Sequence, residues 1–118
     1  MVLDIGKKGE EIALEYLLSK GNYSFIAKNW RKGRYEIDII VESSGTIIFV
    51  EVKTRGNNLF GPPELAYDHR KQEHIFKAAE RYLETEAKNL AAIRFDLIAI
   101  ILNKHGVQEI MHFEDIYC

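Results

Sequence analysis

The chain predicts an α/β domain of the order α-β-β-β-α-β-β, with a central mixed sheet flanked by helices. Three observations lead there. Two stretches, 7–20 and 64–87, carry apolar residues at helical spacing. Two β-branched runs, 34–42 and 46–54, flank the polar turn Ser43-Ser44-Gly45. A third run, 93–102, is almost continuously apolar, the pattern of a strand covered on both faces.

The first helix ends before Gly21, a residue suited to the left-handed position that closes helices. Its core stripe includes Ala13, Leu14, Leu17 and Leu18. Stepping back three residues from Ala13 and four from Leu14 reaches Glu10, so Glu10 lies at the rim of that stripe, while Glu11 and Glu15 point elsewhere. Spacing alone lets Glu10 cap, snorkel or pair. Residues 23–30 form an edge strand, and the following turn is basic, with Lys28, Arg31, Lys32 and Arg34 interleaved by Trp30 and Tyr35. That composition suits phosphate and base contacts, and it also suits a solvated loop. Residues 54–63 make a loop ending in strong breakers. In the second helix Ile75, Ala78, Ala79, Tyr82 and Leu83 form the core stripe. Lys71 and Gln72 sit at the end that overhangs the sheet. Lys104-His105-Gly106 turns the chain into a last strand, 107–113.

The hairpin carries the chemistry. Centring its turn on Ser44-Gly45 sets Ile37 against Val52, Ile39 against Val50 and Val41 against Ile48, one wholly apolar face. The other face then pairs Glu36 with Lys53, Asp38 with Glu51 and Ile40 with Phe49. Side chains directly opposed across antiparallel strands have Cβ atoms roughly 4.5–5.5 Å apart, and like charges there are destabilising. Two acids flanked by large apolar groups share a proton or a cation, and hard divalent ions such as Mg²⁺ take carboxylate oxygens. Lys53 adds a positive charge on the same face. Asp, then Glu-x-Lys, on adjacent strands suits metal-dependent phosphodiester cleavage; the plainer alternative is a simple Glu36–Lys53 ion pair.

Composition narrows the remaining choices. The chain has 118 residues, 47% hydrophobic and 29% charged, consistent with one domain spanning 1–118. No apolar stretch approaches a membrane span, and the first residues lack the apolar centre of a signal peptide. The single cysteine is Cys118, which fits a reducing cytoplasm. A net charge of −2 argues against non-specific coating of nucleic acid but allows local basic patches. His69, His74, His105 and His112 show no metal-ligand spacing, and no phosphate-binding glycine motif follows a strand.

Several runs together resemble the YraN-like family of bacterial proteins. They are Gly6-x-x-x-Glu10-x-x-Ala13-x-x-Tyr16-Leu17, Asn29-Trp30-Arg31, Glu36-Ile37-Asp38-Ile39-Ile40 and Phe49-Val50-Glu51-Val52-Lys53-Thr54-Arg55. Phe60-Gly61, Lys71-Gln72, Ala79, Tyr82-Leu83 and Arg94-Phe95-Asp96 continue the match over nearly the whole chain. The resemblance implies a restriction-endonuclease-like fold, similar to archaeal Holliday-junction resolvases. It implies that Asp38, Glu51 and Lys53 are the metal-and-lysine core and that Glu10 is a helix-borne acid completing the metal shell. One departure is Tyr35, where the family usually has Gly; by the register above Tyr35 faces the apolar side, opposite Thr54. The resulting expectation is a Mg²⁺- or Mn²⁺-dependent nuclease on structured or branched DNA, with Arg31, Arg55, Lys71 and Gln72 on the nucleic-acid backbone. The alternative is a catalytically silent nucleic-acid-binding or protein-interaction module. A homodimer is left open.

Overall fold

The computed structural model describes residues 4–57, 69–86 and 92–117. Its elements are α1 (Ile5–Ser19), β1 (Ser24–Lys32), β2 (Tyr35–Ser43), β3 (Thr46–Arg55), α2 (His69–Thr85), β4 (Ala92–Asn103) and β5 (Gly106–Phe113). The order is the expected α-β-β-β-α-β-β. Helix α1 starts earlier than its apolar stripe indicated, because Asp4 Oδ1 accepts the Lys7 N–H at 3.0 Å and caps the first turn. Residues 58–68, which include Phe60, Gly61 and the expected start of the second helix, lie outside the described residues.

The five strands are ordered β1-β2-β3-β4-β5. All neighbours are antiparallel except β3 and β4, which run parallel from Thr46↔Ala92 to Arg55↔Ile101. A parallel pair needs a crossover, and the segment containing α2 supplies it. Helix α1 packs on β3, β4 and β2; α2 packs on the other face, against β2 and β1. Ala13, Leu17, Ile39, Val41, Ile48, Val50, Ile98 and Ile100 fill the α1 side. Ile37, Ile40, Phe49, Ile75, Ala78, Ala79 and Tyr82 fill the α2 side. Residues 96–102 of β4 are buried throughout, as a strand covered on both faces must be.

Two local features prepare the site. The β2–β3 turn is closed by Ser43↔Thr46, and both linking residues have positive φ, Ser44 at 50° and Gly45 at 81°. That geometry suits the right-handed twist of a tight hairpin and fixes the register. Gly9 of α1 lies against β3 so closely that a Cβ placed there would overlap Thr54 Oγ1. The absence of a side chain at Gly9 lets α1 settle with its first turns beside the strand end that carries Glu51 and Lys53.

Candidate metal and nucleic-acid site

The hairpin register is as expected from Ser43↔Thr46 up to Ile39↔Val50, and there it stops. Asp38 and Glu51 are not a ladder pair. The Asp38 carboxylate instead reaches across the gap, and its Oδ2 accepts the Val52 N–H at 2.9 Å. An acid side chain thus takes the role of a main-chain carbonyl, and strict alternation of faces breaks at this residue. The consequence shows at Ile37, expected beside Val50 and Val52 but packed in the α2-side core. Tyr35 follows it. It pairs with Lys32 of β1 and meets His74 of α2 at 5.3 Å between ring centroids, rather than facing Thr54.

A second break lies directly across β1. Asn29 has φ 51°, a left-handed conformation that Asn tolerates better than most residues, and the β1–β2 pairing skips it opposite Asp38. Asn29 Nδ2 donates to Glu10 Oε1 at 2.7 Å. A residue that the helical pattern could not place is thereby tied to the strand that borders Asp38. The Asn29-Trp30-Arg31 run has a division of labour. Asn29 holds Glu10, Trp30 meets Tyr82 edge-on at 5.4 Å in the α2-side core, and Arg31 bonds Glu36 at 2.7 Å. Glu36 was expected opposite Lys53; its ion-pair partner is Arg31.

The acids act on one another electrostatically. Burial, then the charge of Glu51, pushes the Asp38 carboxyl up to about 8, with Glu10 and Glu36 adding to the effect against the Val52 hydrogen bond. Burial also raises Glu51, opposed by the ammonium groups of Lys53 and Lys71 and reinforced by Glu10 and Glu36. Glu51 opens into a cleft of about 380 Å³ lined also by Arg70, Lys71, His74 and Ile75. Arg55 ends β3 on the same face as Glu51 and Lys53 by alternation. Gln72 lines a different cleft, with His69, Glu73 and Phe76.

The oxygens of Glu10, Asp38 and Glu51 do not converge as a preformed triad. Among the described residues the donor set found within 4.8 Å of one another is Asp96, His112 and Glu114, an acidic group of the kind that can hold a metal ion. The arrangement there is already saturated. Arg94 clamps both oxygens of Asp96 at 2.9 and 2.8 Å and reaches Glu114 at 3.2 Å. His112 Nε2 bonds Asp96 at 2.8 Å, and the Asp115 N–H donates to it at 3.0 Å. Lys20 Nζ can only donate, so at 3.2 Å it makes His112 Nδ1 an acceptor and leaves Nε2–H to donate to Asp96. Burial alone would raise Asp96, yet the bonds from His112 and Arg94 hold it below the ordinary carboxylate range. A guanidinium occupies the place a cation would take. The network ties β4 to β5 and to the end of α1.

The described molecule is therefore an α/β protein with a candidate acidic site at the split of its sheet: two half-buried carboxylates where β2 and β3 part, a lysine acting on one of them, and a third acid on α1. The chain belongs to the Uncharacterised protein family UPF0102, whose family model matches residues 9–100. It is 45% identical over 114 residues to a UPF0102 protein of Geotalea daltonii, covering 96% of this chain and 88% of that one. A UPF0102 protein of Dictyoglomus thermophilum is 41% identical over 103 residues, covering 87% and 86%. Among solved structures, that of Pyrococcus furiosus SfsA in complex with Ca²⁺ aligns with a TM-score of 0.39 at 16% identity, covering 92% of this chain and 62% of that one.

Proposed function

We propose that this protein is a divalent-metal-dependent nuclease acting on structured or branched DNA. The observation that carries the proposal is the pair Asp38 and Glu51, both half-buried and both raised, each acting on the other where the ladder opens, with Lys53 and Lys71 bearing on Glu51. Confining two carboxylates in this way costs stability unless a proton or cation joins them. The donor set is all hard oxygen, which fits Mg²⁺ or Mn²⁺. Asp38 Oδ2 is committed to the Val52 N–H, so Oδ1 is the oxygen that can turn to an ion. Glu51 would supply the second ligand, and Glu10, which now accepts from Asn29, the third.

A bound ion would polarise the scissile phosphate and lower the pKa of an attacking water. The chain's own residues do the rest. Lys53 favours the charged form of Glu51 against the effect of burial, and its positive charge would offset negative charge developing on the phosphate. Lys71 does the same from α2 and, with Arg31 and Arg55, holds the phosphate backbone. The test is cleavage of labelled branched, flapped and linear DNA with Mg²⁺ or Mn²⁺. Metal-dependent cutting by the wild type, lost in Asp38→Asn, supports the proposal; cutting that persists in Asp38→Asn overturns the site.

A further inference from the structure

A second cleft adjoins the acidic one and shares two of its walls. It measures about 390 Å³ and is lined by Arg34, Tyr35, Arg70, Glu73, His74 and Lys77, whereas the Glu51 cleft also contains Arg70 and His74. Both volumes fall within the range of roughly 300–1,000 Å³ that holds small ligands. The two clefts meet at Arg70 and His74 of α2, the second reaching Arg34 and Tyr35 at the β1–β2 turn. Acid lies at one end and cations around an aromatic ring at the other.

The ring is Tyr35. Arg34, exposed on the turn, sets its guanidinium 5.3 Å from the Tyr35 centroid and donates to the Tyr35 hydroxyl at 3.3 Å. His74 approaches the ring tilted by 46°, and Arg81 lies 6.0 Å from its centroid. The Arg34 hydrogen bond lowers the tyrosine hydroxyl below its usual range, with Lys77 and Arg81 adding to the effect. Glu73 is the acid in the lining, against Arg34, Arg70 and Lys77.

We infer that this groove takes an unpaired DNA strand, one base stacking on Tyr35 and the adjoining phosphates lying on Arg34, Arg70 and Lys77. In a duplex the bases present only their edges, and their faces are occupied by their neighbours. A half-buried ring lining a basic cleft suits a base that has left its stack, which would take the place over the ring that the exposed Arg34 guanidinium now holds. A groove of this size admits about one nucleotide. It leads to Glu51, so the strand on Tyr35 is the arm next to the scissile phosphate. The substrate class becomes a duplex with a single-stranded arm, a flap or a splayed branch. This inference rests on the proposed nuclease reading for the meaning of the acidic end, but the binding it describes does not need cleavage.

The experiment is fluorescence anisotropy in EDTA with a labelled blunt duplex and the same duplex bearing an oligo-dT flap. The wild type should bind the flapped form more tightly than the blunt one. Tyr35→Ala should remove roughly tenfold of that preference, the scale of one stacked base, losing more affinity for the flapped duplex than for the blunt one; Tyr35→Trp should retain it. Lys77→Glu, at an exposed helix position that leaves folding intact, should weaken flap binding and reduce the salt slope by about 0.7 or more. Equal affinity of the wild type for the two DNAs, or equal losses on both in Tyr35→Ala, overturns the inference. Flap preference that survives while no DNA is ever cut leaves the groove standing and removes the nuclease. Cutting of blunt duplex without flap preference does the reverse.

Discussion

Replacing Asp38 by Asn should make the metal-free protein more stable, and increasingly so as pH rises. The asparagine side chain keeps an oxygen for the Val52 N–H and removes one of the two confined charges. The Asp38 carboxyl titrates near 8 in the folded protein against 3.8 in the unfolded chain. Between those values the folded state holds a proton that the unfolded chain has released, so stability falls as pH rises through the interval. From pH 5 to pH 8 that is three pH units at about 1.4 kcal/mol each, on the order of 4 kcal/mol. Glu51 shares the same repulsion, which makes this figure a ceiling. The assay is urea unfolding in EDTA at several pH values between 5 and 8, for wild type and Asp38→Asn. Carboxylates remote from Asp38 cancel in the difference, whereas Glu51, Glu10 and Glu36, which act on Asp38, do not cancel fully. With a slope of about 2 kcal/mol per molar urea, the ceiling corresponds to midpoints diverging by about 2 M. A gap that stays constant with pH, or one that closes as pH rises, would refute the reasoning.

Three further outcomes follow from the same structure. Millimolar Mg²⁺ or Mn²⁺ should raise the melting temperature of the wild type, by an amount equivalent to about 2.7 kcal/mol at a hundredfold excess over Kd, and Asp38→Asn should lose the response; equal shifts would place the ion elsewhere. Asp96→Ala leaves Arg94 and His112 facing an empty buried position and should cost about 3–5 kcal/mol in urea unfolding, while a melting shift with Mn²⁺ persists. Gly9→Ala forces α1 away from Thr54, which overpacking places at about 1–3 kcal/mol, and should weaken the Mn²⁺ response because Glu10 moves with the helix.

Much of the scaffold was legible because it obeys simple periods. Ala13 and Leu17 at helical spacing, the apolar run through Ile98 and Ile100, and the Ser44-Gly45 turn each report one local rule, and those rules agree. The register of the hairpin could be read as far as Ile39↔Val50 for the same reason. It could not be read beyond, since alternation assumes that main-chain groups complete the ladder. At Asp38 a side chain competes for the N–H of Val52, and nothing in a pattern of apolar and polar letters marks that substitution. The misplacement of Ile37 and Tyr35 follows directly from it. Asn29 was invisible as a positioning group because its role depends on a positive φ. The Arg94–Asp96–His112 network depends on the β4–β5 register, Ile98↔His112, which alone brings His112 to the β4 pair Arg94 and Asp96. Its one local signal was an aspartate inside an apolar strand.

The most direct test of the central claim separates affinity from turnover at Lys53. If that lysine acts on charge developing in the transition state, Lys53→Ala should bind branched DNA within a few fold of the wild type and cut it roughly 10²-fold more slowly, the scale of one preorganised electrostatic group. Measured together, Kd by anisotropy in EDTA and single-turnover cleavage in Mn²⁺ give both numbers on the same substrate. A wild type that binds with a salt-dependent Kd yet leaves every DNA intact, with Lys53→Ala losing only affinity, would contradict the nuclease and identify a binding module instead.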